Sequence, residues 1–229
     1  TQINLGGVNT DGSDGVNDVS YLILDVLDEL QLLQPQVSVH ISSKTPDRFL
    51  KYACRVMRRG SGYPSAFNTD EVIMEQIGMG KTVEDAREGG TSGCIETGAF
   101  GKEAYILHGY LNVPKIMELA LNNGVDPLTG RQIALRTGDP VDFKCFDDFY
   151  SAFVKQLHYV VDTKIKTDNY IQRMFARHAP APYLSVLIQG CIENGRDYYD
   201  GGPRYNTDYI QCCGIGTVTD SLSVLKKHV

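Results

Sequence analysis

Gly93-Cys94-Ile95-Glu96-Thr97-Gly98-Ala99-Phe100-Gly101-Lys102-Glu103-Ala104-Tyr105 is the stretch on which the reading of this chain turns. Gly89, Gly90 and Gly93 fall within the five residues before Cys94, and Glu96 stands two residues after it. Glycines let a backbone make a tight excursion and present one side chain at its tip. Glu96 can then serve as acid or base beside the same substrate. Spacing alone does not decide the matter, because a lone cysteine in a glycine-rich loop is more often structural. A nucleophilic thiol also needs an activating histidine. His108 and His158 exist, and nothing in the sequence brings either near Cys94.

Upstream, Leu5-Gly6-Gly7 through Asp11-Gly12-Ser13-Asp14-Gly15 reads as a loop. Val19, Leu22, Ile23, Val26, Leu27, Leu30 and Leu33 recur at helical spacing, which predicts an amphipathic helix over 18–33, ended by Pro35. Val37-Ser38-Val39-His40-Ile41 alternates and is β-branched, a short strand. Thr45 can cap a second helix that starts at Pro46 and runs to about Arg58. Residues 59–70 read as turns, 71–79 as helix, and Thr82–Ala86 as a helical turn.

Downstream, a helix is expected near Lys102–Tyr110, and another from Asn112 and Pro114 to Asn123-Gly124. Phe146, Phe149, Tyr150, Phe153, Leu157, Val160 and Val161 mark a long helix. Pro182–Ile188 reads as strand or helix start, and Gly214–Thr219 leads into a final helix. Strands alternating with helices favour an α/β architecture with parallel strands. No repeat or linker divides the chain.

Composition narrows the function classes. A net charge of −6 without basic runs argues against nucleic acid or an anionic membrane as partner. No apolar run is long enough for a membrane-spanning helix, and the polar opening Thr1-Gln2-Ile3-Asn4 is no signal peptide. The chain starts without Met, as an excised segment of something longer would. Cys54, Cys94, Cys145, Cys191, Cys212 and Cys213 show no CxxC and no zinc spacing, so no metal site is expected. They read as free thiols in a reducing compartment, most of them buried apolar groups. Gly214-x-Gly216 lacks the rest of a dinucleotide loop and reads as a turn. Arg204 in GGPRYN can bind a carboxylate, although a structural ion pair is commoner.

The wording around Cys94 goes further than its spacing. Residues 93–105 resemble the cysteine loop of glycyl radical enzymes. The flanks agree in the same order: LGGVNTDGSDGVNDVSYLILD (5–25), the strand at 37–41, SGYPSAFNTD (61–70), GGPRYNTDYIQ (201–211) and GIGTVTDSL (214–222). The resemblance implies a cytoplasmic enzyme of anaerobes, roughly three times this length, of which residues 1–229 form one segment. Its implied fold is the pyruvate formate-lyase-like ten-stranded α/β barrel of two antiparallel half-barrels. A C-terminal glycine loop, with no counterpart in these residues, carries the radical. A separate S-adenosylmethionine-dependent, iron–sulfur activating enzyme installs it, and no cofactor is bound directly. The implied partners are that enzyme, a small-molecule substrate and a second subunit in a homodimer.

On this resemblance Cys94 is the thiyl residue, Glu96 the acid/base, and Tyr110, sixteen residues past the cysteine, lines the substrate pocket. Pyruvate formate-lyase types carry adjacent cysteines, whereas Gly93 and Ile95 flank Cys94 here. Gly-Cys-x-Glu belongs to the eliminating and decarboxylating branch. Diol and choline enzymes typically have Pro after the Glu, where this chain has Thr97-Gly98. The implied reaction is loss of water from 4-hydroxyproline. The alternatives are arylacetate decarboxylation, another elimination, or a remnant without chemistry.

Overall fold

The structure is a computed structural model that describes residues 2–92 and 95–228. The chain forms two compact units, Thr1–Tyr105 with Pro182–Thr207, and Ile106–Ala181 with Asp208–Val229. Two of the three crossings fall inside strands, between Tyr105 and Ile106 and between Thr207 and Asp208. No composition break marks them, because a strand is continuous there.

The first unit is built on three parallel strands, β1 (Gln2–Gly6), β2 (Gln36–Ile41) and β3 (Ser65–Asn68), in that order. Leu5 pairs with Val39 and Gly6 with His40. Helices α1 (Asp18–Leu30) and α2 (Asp47–Met57) connect them, as parallel pairing requires. Leu5, Leu24, Leu27, Val37, Val39, Phe49, Ala53 and Val56 form the core. Asn17 caps α1, its side chain accepting from the Ser20 N–H, and Gln31 ends it in the left-handed conformation. The helix therefore stops before Leu33. Its apolar pattern also divides: Leu24 and Leu27 face the core, while Val19, Leu22, Val26 and Leu30 are exposed.

Then follow α3 (Thr69–Gly78), α4 (Val83–Arg87) and two short antiparallel strands, β4 (Gly89–Ser92) and β5 (Glu96–Ala99). The helix expected near Lys102–Tyr110 is instead strand β6 (Glu103–Asn112). Ala104 and Ile106 are buried with Tyr105 between them less so, a period of two, and Gly109 sits at φ +99, where no helix residue can be. The apolar residues of this segment fit both periods, so the glycine decides.

In the second unit, α5 (Val113–Leu121) starts at the Asn112 cap with Pro114 in its first turn. After the small hairpin β7 (Val125–Asp126) and β8 (Arg131–Gln132) comes α6, Phe146–His178, 33 residues and far longer than its apolar face predicted. Leu111, Val113, Ile116, Met117, Ala120, Phe149, Phe153 and Val218 make the second core. Pro182–Leu187 is the short helix α7, followed by α8 (Cys191–Asn194). Strand β9 (Tyr205–Cys213) pairs with β6, and α9 (Ile215–His228) ends the described chain. The sheets are thus mixed, parallel in the first and antiparallel in the hairpins. Among the described residues no closed barrel is formed.

Candidate active site

Cys94 and Gly93 lie outside the described residues; the hairpin that flanks them is described on both sides. In its register Gly90 faces Gly98, Thr91 faces Thr97, and Ser92 faces Glu96. Glu96 is thus the first residue of β5, and one of its carboxylate oxygens accepts from the Ile95 N–H at 3.3 Å. Ile95 is 63% exposed within its unit. The Glu96 carboxylate thus stands at the start of β5, two residues along the chain from Cys94.

The hairpin is anchored from two sides. Behind β5, Lys81 and Glu103 form an ion pair at 2.5 Å, their side chains 2% and 0% exposed. Glu103 also accepts from the Ala99 N–H at 2.7 Å and from the Thr207 hydroxyl. Lys81 donates to Gln76 as well, whose amide in turn donates to the Thr97 hydroxyl at 2.8 Å. Every member of this buried set has partners, the condition under which buried charge is tolerated. Gly98 is obligatory beside it: a Cβ there would stand 2.5 Å from Cζ of Tyr105 and against the Glu103 carboxylate.

Beneath β4 lies a second polar cluster, made by Gln2 and Asn4 of β1, Ser38 and His40 of β2, and Thr91. Burial holds the His40 imidazole down, to about 4, so the ring is neutral. A cavity of about 360 Å³ lined by Gln2, Asn4, Thr91, Ser92 and Phe100 adjoins it.

Other sequence-predicted residues are placed as follows. Tyr110 is on β6 in the second unit, 65% exposed, and Glu96 is in the first. His108 and His158 also belong to the second unit, His108 lying 3.3 Å from Asp208. Arg204 pairs with Asp85 at 3.2 Å and lies over the Tyr205 ring, the structural ion pair rather than a carboxylate site. Burial would raise the Asp85 carboxyl, but hydrogen bonds from Lys102 and Tyr205, with the nearby Arg204 charge, hold it below the usual range. Gly214, at φ +78, makes the turn into α9. The cysteines correct an expectation: of the five described, Cys191 alone is buried and Cys213 partly so, while Cys54, Cys145 and Cys212 are exposed. They sit on outward positions of α2, the start of α6 and β9, which residue type alone does not reveal. Lys81, Glu103 and His40 were not foreseen, because a buried ion pair between distant residues leaves no local pattern.

Comparison with known proteins places this geometry. The chain is 56% identical to the trans-4-hydroxy-L-proline dehydratase of Clostridioides difficile over 227 residues, 99% of this chain and 29% of the relative. It superposes with a TM-score of 0.97 and 55% identity on the hydroxyproline dehydratase of that organism solved with trans-4-hydroxy-L-proline bound, covering 100% of this chain and 29% of that one. The glycerol-bound, B12-independent glycerol dehydratase of Clostridium butyricum matches with a TM-score of 0.94 and 37% identity, again over 100% and 29%. The chain therefore spans less than a third of the length of these relatives. Its residues 1–229 match one protein family throughout, and the chain belongs to the pyruvate formate lyase-like family of glycyl radical enzymes.

Proposed function

We propose that this chain is the cysteine-bearing part of a radical dehydratase that removes water from trans-4-hydroxy-L-proline. The observation that carries the reading is the match over the whole chain, at 55% identity and a TM-score of 0.97, to a structure holding that substrate. In this reading residues 1–229 belong to one ten-stranded barrel domain, and a glycyl radical elsewhere in the protein supplies the unpaired electron. The partners are the activating enzyme that generates the radical and a second subunit; the compartment is the cytoplasm.

Cys94, as thiyl, takes a hydrogen atom from the ring carbon next to nitrogen, forming an S–H bond and leaving a carbon radical. Glu96 protonates the neighbouring hydroxyl, whose C–O bond breaks to release water, and the ring N–H proton passes back to the Glu96 carboxylate as the C=N bond forms. The product radical takes hydrogen back from the Cys94 thiol, and pyrroline carboxylate leaves. A thiyl needs a closed, water-poor cavity rather than a lowered pKa. Tyr110 contributes to the wall of the substrate pocket.

The glycerol dehydratase match favours a second reading, elimination of water from a diol. The test is turnover by the full-length protein, activated anaerobically, against trans-4-hydroxy-L-proline, glycerol and an arylacetate. Consumption of hydroxyproline alone is expected; consumption of glycerol or the arylacetate in its place would overturn the assignment.

A further inference from the structure

The polar cluster beneath the cysteine hairpin has an internal logic that assigns each donor. Asn4 Nδ2 donates to the Thr91 backbone carbonyl at 3.0 Å, so Asn4 Oδ1 must be the atom facing His40. His40 Nε2 lies 2.8 Å from that oxygen, and two acceptors at this separation would repel, so the ring carries its proton on Nε2. The Thr91 hydroxyl lies 3.4 Å from the same oxygen and accepts from Gln2 Nε2 at 3.3 Å. Gln2 is held in turn by Ser38. Strand β4 pairs with β5 and, among the described residues, with no strand on its other side. On that side the Asn4 side chain provides the bond to its backbone. The two β2 groups, His40 and Ser38, fix the two β1 side chains that grip Thr91.

His40 is itself wedged. It stacks on Phe67 with ring centroids 5.6 Å apart, and it is 3% exposed. A Cβ on Gly90 would come within 3.3 Å of its Cε1, so the ring and β4 are in contact. The residues gripping Thr91 also border the 360 Å³ cavity, which reaches Ser92, two residues before Cys94.

We infer that His40 and Asn4 are positioning residues: through Thr91 they lock the β4–β5 hairpin to the parallel sheet and so set where the Cys94 thiol and Glu96 carboxylate stand against substrate. This rests on Cys94 and Glu96 being the reacting groups of the proposed function. Hydrogen transfer between a sulfur and a carbon is steeply sensitive to distance. A misplacement of about 1 Å can cost on the order of a hundredfold in rate.

The test uses the full-length, anaerobically activated protein and three variants: Asn4→Ala, His40→Phe and His40→Gln. Radical content by electron paramagnetic resonance reports folding and activation; kcat and KM are measured with hydroxyproline. The expected result is wild-type radical content with kcat down about tenfold or more and KM within about twofold for Asn4→Ala and His40→Phe. His40→Gln, whose amide can still donate to Asn4, recovers most of the rate. Unchanged kcat in Asn4→Ala overturns the inference, as does equal loss in the Phe and Gln variants. Should His40→Phe fail to take up the radical, Asn4→Ala decides, and a kcat loss that only tracks lost radical also overturns it. Failure of the wild type to consume hydroxyproline sinks the functional reading instead. The same variants are then compared on the substrate it does consume.

Discussion

His40 shows how a single residue reports on the fold around it. The imidazole is inside a cluster of uncharged hydrogen-bonding groups, and burial lowers it from 6.5 to about 4. Between these values the unfolded chain binds a proton that the folded chain refuses. Stability contributed by the neutral ring is therefore complete above about 6.5 and is lost as pH falls towards 4. Unfolding of His40→Gln, followed by denaturant titration across that window, is expected to show a shallower decline with acid than wild type. A parallel decline would mean that His40 titrates normally. The sequence shows His40 as one position of an alternating strand, and nothing local marks it as buried or neutral. Cys94 and Glu96 differ in kind. Their spacing leaves a catalytic role undecided, and the order of residues from Gly93 to Tyr105 implies one only through family resemblance.

At the scale of elements, legibility followed how local the determining physics was. Asn17, Thr82 and Asn112 cap their helices from within the next turn, and β2 announced itself by alternation. Strand β6 is ambiguous by apolar pattern, because Ala104, Leu107 and Leu111 share one helical face while Ala104 and Ile106 share one side of a pleat, and only Gly109, at positive φ, separates the two. Strands β4 and β5 were invisible as strands, since GGTS and ETGA carry no β signature; the contacts that hold them are remote. The Lys81–Glu103 pair is the chief of these. Lys81→Met would leave Glu103 charged, buried and short of a cation, at a cost of about 3–5 kcal/mol. Adding Glu103→Gln should recover part of that loss, the signature of direct coupling. Chemical denaturation of the single and double variants checks this, and simple additivity would show that the pair does not clamp β5.

The whole molecule is organised as two cores, one under a parallel sheet and one among three helices, with two of the three chain passages between the units inside strands. At this scale charge and hydropathy speak only to broad class; no described helix is long and apolar enough to cross a membrane. They could not supply the architecture, because closure of a sheet depends on pairing between residues far apart in sequence. That expectation came from resemblance alone, and the described sheets are open. The exposed apolar row of α1, Val19, Leu22, Val26 and Leu30, shows the same limit, since its periodicity announces an apolar face without saying what covers it.

The central claim is that chemistry runs through Cys94 with Glu96 as its acid/base partner. It is tested most directly by hydroxyproline turnover in the full-length, anaerobically activated protein carrying Cys94→Ser or Glu96→Gln. The account predicts no turnover in Cys94→Ser, and a kcat lowered on the order of a hundredfold or more in Glu96→Gln, with radical content unchanged in both. Turnover near the wild-type rate in either variant, at full radical content, would contradict it.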